Sequence, residues 1–470
     1  EILRCLVGSE MCIRDRTKGA PLKLMLLFSI PLLIGNIFQQ FYNIADIIIV
    51  GRTLGMTALA SVGAVSPLFF LIMFIIVGMT NGFAVITGQR FGAKDYEGVR
   101  RSVTMSTILS TVFTITFTII CAAAMHHILF LMNVPQEIYK DAYYYIQIVV
   151  IGLIVANFYN LLASIIRALG DSMTPLYCLI IASVLNIFLA LLFILEFHMG
   201  VPGSAFALVL SQAFSALLCV WYVKKHFPIL HLKKKDWIID WKKEFNFALA
   251  HLKVGIPMAV QFGILGLSLL IIQSVCNTFG PDVIAAFTAA LRIEQMATLP
   301  MISFGVALAA YVAQNFGAGN FSRIRFGVKK ASLINVILSI VMAFIMHFWG
   351  GHLVRIFVGY QNEDIVKIAH DYLFRSSLFY FFLAQIFIYR NALQGLGRAV
   401  IPMLAAVGEL LMRAFAAIYL AAKIGYFGVF YAGPIAWVAA SIVLAAGYYS
   451  TIKQFILKTQ QKLRKNRRVS

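Results

Sequence analysis

Twelve apolar stretches long enough to cross a lipid bilayer follow one another along this 470-residue chain, at about 24–50, 58–86, 102–131, 142–164, 175–196, 204–223, 255–278, 284–310, 331–350, 370–389, 402–422 and 429–452. A hydrocarbon core of roughly 30 Å takes about 20 residues of helix at about 1.5 Å each. Backbone groups in hydrocarbon must be bonded within their own segment, so runs of this length predict helices. The first run carries a polar set, Asn36, Gln39, Gln40, Asn43 and Asp46, at three- and four-residue steps. These positions cover one broad sector of a helix, which is expected to face protein or water.

Composition supports the same reading. The chain is 61% hydrophobic and 12% charged, with a mean hydropathy of +0.86, whereas soluble domains are about 25% charged. The formal net charge of +20 does not point to nucleic acid, because the basic residues lie between and after the apolar runs. The loops after the even-numbered runs, with the C-terminal tail, hold 26 Lys and Arg. The loops after the odd-numbered runs hold five: Arg52, Lys140, Arg355, Lys367 and Lys423. That asymmetry predicts an integral inner (plasma) membrane protein with both termini cytoplasmic.

The chain also repeats itself. Ser29-Ile-Pro31 recurs as Gly255-Ile-Pro257, and Gly88-Gln-Arg-Phe-Gly-Ala93 as Ala313-Gln-Asn-Phe-Gly-Ala318. Ala168-Leu-Gly-Asp-Ser-Met-Thr-Pro175 recurs as Gly395-Leu-Gly-Arg-Ala-Val-Ile-Pro402, and Gly200 and Gly203 as Gly425 and Gly428, all at offsets of 225 to 227 residues. Six spans per half start both halves on the same side. The expected fold is therefore an all-α membrane protein with 12 transmembrane helices in two parallel six-helix repeats, related by a pseudo-two-fold along the membrane normal. The lobes are expected at 17–225 and 254–455, joined by a basic linker at 226–253 and followed by a basic cytoplasmic tail at 456–470. Trp237, Ile238, Ile239, Trp241, Phe245 and Phe247 among charged residues suggest an interfacial helix within the linker. Residues 1–16 match no signal or spanning pattern and are expected to be a non-native extension. Cys121, Cys178, Cys219 and Cys276 fall singly in apolar runs, with no disulfide or metal spacing.

The stretch Asp46-Ile-Ile-Ile-Val-Gly-Arg52 behind Pro31, the loops Gln89-Arg-Phe-Gly-Ala93 and Gln314-Asn-Phe-Gly-Ala-Gly319, and Arg167-Ala-Leu-Gly-Asp-Ser-Met-Thr-Pro175 together resemble the multidrug and toxic compound extrusion (MATE) family. The resemblance covers about Thr17 to Ile456. It implies two six-helix bundles around a central cavity that opens alternately to each side. It further implies export of organic cations and other amphipathic small molecules against inward H⁺ or Na⁺, with no catalytic activity and no cofactor. Asp46 matches the acidic residue of the family's first span, and Asn186 a family Asn of the fifth, both implied in cation coupling. Two further family oxygen ligands are replaced here by Ala190 and Leu208. Na⁺ wants several oxygen ligands, whereas one sheltered carboxyl suffices for a proton, so H⁺ is the expected coupling ion.

Further candidates lie in the second half. Glu294 sits mid-span in the eighth run, and Glu409 in the eleventh precedes Arg413 by four residues, the spacing of an intrahelical ion pair. Arg292 and Glu294 project about 200° apart and are not expected to pair. Glu294, Glu409 and Arg413, with Gln39, Gln40, Asn157, Gln261 and Gln273, are the candidate lining of a substrate or cation cavity. The amides serve equally well as interhelical hydrogen bonds. His126, His127 and His347 show no ligand spacing, and no metal site is expected. Partners are expected to be amphipathic small molecules and membrane lipid, with no nucleic acid, and the protein a monomer. The alternative is a flippase for lipid-linked saccharides, which would want a strongly cationic cavity. On the spans above, Arg292, Arg375 and Arg413 are the only basic residues inside. A prenyl-type enzyme would need clustered acids for Mg²⁺, and a channel rings of like residues. Neither pattern is present.

Overall fold

The structure, a computed structural model, describes residues 15–232, 234–237, 241–359 and 362–466. The extension at 1–16 and the tail at 456–470 thus fall partly outside the described residues, as do Ile238 and Ile239 of the linker. Fourteen α-helices are described: α1 (Pro21–Leu54), α2 (Met56–Gly92), α3 (Tyr96–Leu131), α4 (Gln136–Ile151), α5 (Leu153–Ala168), α6 (Met173–Leu191) and α7 (Gly200–His226), then α8 (Trp241–Cys276), α9 (Pro281–Gly317), α10 (Phe321–Val358), α11 (Glu363–Ser377), α12 (Tyr380–Gly395), α13 (Val400–Ile424) and α14 (Phe427–Asn466). Ten stretches are single helices of spanning length and apolarity. The other two spans, the fourth of each repeat, are the broken pairs α4–α5, bent by 47°, and α11–α12, bent by 55°. The predicted twelve crossings are recovered in this form.

Proline does not cause these breaks. Pro175 and Pro402 are each the third residue of their helix (α6 and α13). There the missing N–H has no helical acceptor to lose. The α4–α5 break falls instead at Gly152, where a Cβ would meet the Val209 side chain of α7 at 2.3 Å. Chain packing, not ring chemistry, sets that corner. The third spans, α3 and α10, have only 22% of their apolar window buried, against 67% for α9.

Contacts divide the chain into two compact units, one containing 30–263 and the other 16–29 with 264–470. The boundaries cut α1 after Ser29 and α8 after Gly263. In the first unit Val65, Ile72 and Ile76 of α2 pack on Met125 and Leu129 of α3 and on Ile146 and Val150 of α4. Lower along α2, Met79 and Phe83 pack on Leu161 and Ile165 of α5. Small residues then allow α2 and α8 to touch: a Cβ on Gly82 would lie 2.6 Å from the Gly255 Cα. In lipid such close approach replaces the hydrophobic drive of water.

Residues Trp241 to Phe247 form the start of α8, continuous with the seventh span. The Phe247 ring lies 5.3 Å from the Arg90 guanidinium and 5.6 Å from that of Arg101, which also pairs with Glu244. In the second unit Arg16 is buried and stacks 3.6 Å over Phe28. Its backbone N–H donates to Gln314 Oε1 at 2.9 Å, while its carbonyl accepts from Asn315 and Arg323.

Candidate functional site

Asp46 lies on α1, partly buried, and accepts a hydrogen bond on Oδ1 from Ser204 Oγ of α7 at 3.2 Å. Tyr42, one helical turn earlier, and Tyr145 of α4 are its electrostatic neighbours. Among the described residues the ion pairs all lie elsewhere, so Asp46 is held by neutral groups. Asn186 is 1% exposed, and neither its Nδ2 nor its Oδ1 has a hydrogen-bond partner. The structure therefore does not bond Asn186 to Asp46. A buried amide with both ends unmatched is a place where an ion, a water or a ligand group can be received.

Ser204 was missed from sequence. Leu208 occupies the family position searched for a hydroxyl in span six, but Ser204 is one turn earlier on the same helix face. A search for any hydroxyl within one turn would have found it.

In the second unit Glu294 of α9 is 8% exposed. It accepts from the Tyr372 hydroxyl at 2.7 Å on Oε2 and from Ser376 Oγ at 3.0 Å on Oε1. Tyr372 and Ser376 are four residues apart on α11, so one face of that helix supplies both donors. Phe287, two turns before Glu294, and Phe430 meet the Tyr372 ring edge-on at 5.3 and 5.2 Å. They fix the phenol that holds the carboxylate. Arg413 and Tyr380 lie nearby, but no salt bridge joins Glu294 to a base among the described residues.

Glu409 behaves differently. Its Oε1 accepts from Arg413 at 2.5 Å, the intrahelical pair expected from the spacing, and its Oε2 accepts from Arg390 of α12 at 3.0 Å. Arg390 corrects the sequence assignment, which left it in the loop after span ten. So does Arg167, which belongs to α5. A charged residue ends an apolar run on paper. Inside protein it can stay within a span once its charge is matched, and Arg390, 7% exposed, has that match in Glu409.

The amides disperse. Gln39 is exposed, Gln40 and Gln273 are partly buried, and Gln261 is fully buried. Asn157 is fully buried and donates to Ser110 Oγ of α3 at 3.2 Å, an interhelical bond. His126 donates or accepts at the Tyr139 hydroxyl and stacks on Tyr143 at 4.3 Å.

Comparison with known proteins places this arrangement. The MatE family pattern matches residues 31–192 and again 257–418. The chain is 31% identical over 390 residues to the probable multidrug resistance protein YpnP of Bacillus subtilis, covering 83% of this chain and 85% of that one. It is 22% identical over 396 residues to the multidrug export protein MepA of Staphylococcus aureus, covering 83% of each. A crystal structure of MATE in the bent conformation aligns at a TM-score of 0.87 and 24% identity, covering 96% of this chain and 100% of that one. An outward-facing multidrug resistance MATE family transporter aligns at 0.86 and 23% identity, over 95% and 99%. With one pattern matched twice and in register with the internal repeat, this multi-pass membrane protein belongs to the MATE family of multidrug and toxic compound extrusion transporters.

Proposed function

We propose that this chain is an efflux antiporter of the plasma membrane, exporting amphipathic, cationic small molecules by alternating access against inward H⁺ flow. The observation that carries the reading is Asp46: an acid on a spanning helix whose hydrogen bond comes from the neutral Ser204 hydroxyl. A carboxylate so held gains or loses a proton without breaking an ion pair. Glu294, bonded only by hydroxyls among hydrogen-bond partners described, serves the second repeat as the residue that recognises cationic substrate. The excess of Lys and Arg after even-numbered spans supports cytoplasmic termini.

The experiment is ethidium efflux from cells expressing the chain, with Na⁺ present or absent and with the pH gradient intact or dissipated. Efflux that collapses with the pH gradient and ignores Na⁺ is expected. Dependence on Na⁺ with indifference to the gradient would transfer the coupling to Na⁺. No transport of any organic cation under either gradient would turn the reading toward lipid-linked substrates.

A further inference from the structure

One cation in the second unit is clasped by side chains from two helices. Arg375, in the last turn of α11, donates from Nη1 to the Tyr431 hydroxyl at 2.7 Å and from Nη2 to Asp371 Oδ2 at 3.4 Å. Its guanidinium carbon stands 4.8 Å from the centre of the Phe427 ring and 5.8 Å from that of Tyr431. Phe427 and Tyr431 are one turn apart at the start of α14, and Asp371 is one turn before Arg375 on α11. A carboxylate, a hydroxyl oxygen and two ring faces around one planar cation are the parts of an organic-cation site.

The occupant is held loosely. Its ion pair is intrahelical, longer than the roughly 2.7 to 2.9 Å of a strong charge-assisted bond, and open, the Arg375 and Asp371 side chains being 32% and 40% exposed. Open pairs of this kind add little to stability. The Arg375 Nε has no hydrogen-bond partner, and Asp371 joins no other base in an ion pair among the described residues. Arg390, by contrast, is 7% exposed and fixed to Glu409 at 3.0 Å. Rings also carry the site inward: Phe427 meets Phe430 edge-on at 5.8 Å, Phe430 meets Tyr372 at 5.2 Å, and the Tyr372 hydroxyl reaches Glu294 at 2.7 Å. One run of aromatic contacts therefore joins the Arg375 clasp to the Glu294 carboxylate.

We propose that Asp371, Phe427 and Tyr431 form a binding site for a guanidinium- or amidinium-class cation, which the Arg375 side chain fills until such a cation displaces it. The incoming cation takes the Asp371 carboxylate, the Tyr431 oxygen and the Phe427 face, which a planar charge with several donors satisfies together. No covalent bond or proton is exchanged. Asp371 keeps one positive partner in either state, and the freed guanidinium swings on its flexible stem to water. On the topology proposed above, the start of α14 is the outer end of its span, so the site is a second station for a cation leaving Glu294. That placement rests on the proposed role of Glu294, whereas the binding itself does not.

The test is calorimetric titration of the full chain in detergent with phenylguanidinium, and with neutral phenylurea as the shape control. Emptying the site by Arg375→Ala is expected to tighten phenylguanidinium binding at least about tenfold over the unaltered chain, because an internal competitor lowers apparent affinity by the fraction of open sites. Phenylurea is expected not to bind. Adding Asp371→Asn to Arg375→Ala should remove the gain, whereas adding Glu294→Gln should leave it. Equal affinity in Arg375→Ala and the unaltered chain, equal binding of phenylurea, or a gain that survives Asp371→Asn or is lost with Glu294→Gln overturns the proposal. Arg375→Gln, which can still bond the Tyr431 hydroxyl, takes the place of the alanine variant if that one is not recovered folded, with the same outcomes. No gradient is used, so the result is independent of the efflux experiment.

Discussion

Arg390 and Glu409 meet at 3.0 Å from neighbouring helices, 19 residues apart in the chain and both nearly inaccessible. Because Arg413 bonds the other carboxylate oxygen at 2.5 Å, one acid serves two guanidinium groups. Buried ion clusters contribute little net stability, but breaking one strands its charges at a cost of about 3 to 5 kcal/mol. Glu409→Gln is therefore expected to lower the melting temperature in detergent sharply. The triple replacement Arg390→Met, Glu409→Leu, Arg413→Met is expected to recover most of the loss. A triple variant that melts with the single one would show that stranded charge is not the cause.

Asp46 and Ser204 predict a different signature. Asp46→Asn keeps an acceptor for the Ser204 hydroxyl, so the protein is expected to fold in normal amount while gradient-driven efflux falls at least about tenfold, equivalent to about 1.4 kcal/mol. Ser204→Ala removes one hydrogen bond to the carboxyl and should cost about 1 kcal/mol of stability, with coupled efflux weakened but measurable. Vesicle transport normalised to protein amount checks both. Full coupled efflux in Asp46→Asn would remove the residue from the mechanism.

For Glu294, the comparison is between substrates. Glu294→Gln preserves hydrogen bonding to Tyr372 and Ser376, because hydroxyls accept as well as donate. Export of a cationic dye is expected to lose about tenfold or more in apparent affinity, with a neutral amphipathic substrate little changed. Tyr372→Phe removes a bond to a charged group, worth about 1.5 to 3 kcal/mol, and should impair stability more than Glu294→Gln does. Equal cationic export by Glu294→Gln and the unaltered protein would reduce Glu294 to a packing element.

Close helix approach gives a fourth expectation. A Cβ at Gly82 would stand 2.6 Å from the Gly255 Cα and 3.0 Å from the Val254 carbonyl oxygen, both backbone atoms that cannot swing aside. Gly82→Ala is expected to cost about 1 to 3 kcal/mol. Gly63→Ala, on the same helix with nothing within 4 Å of the added carbon, should be neutral or stabilising by up to about 1 kcal/mol. Thermal unfolding of the two variants side by side separates local crowding from a general intolerance of alanine in α2.

What the residues by themselves determined is the set of properties that lipid imposes locally. Span length follows from bilayer thickness, so twelve crossings were legible as apolar runs. The doubling of the chain was legible because Ser29-Ile-Pro31 and Gly255-Ile-Pro257 recur at one offset. The Glu409–Arg413 pair was legible because a helix brings positions four apart together wherever it folds. The tertiary structure alone decided the rest. The corner at Gly152 depends on Val209 of a helix two elements later. Arg390 is inside a span only because Glu409 meets it there. Ser204 reaches Asp46 across 158 residues, and Tyr372 reaches Glu294 across 78. Periodicity describes which face of a helix a side chain occupies but not which other helix that face will meet. That choice is made by packing, and with it the partners of both carboxylates.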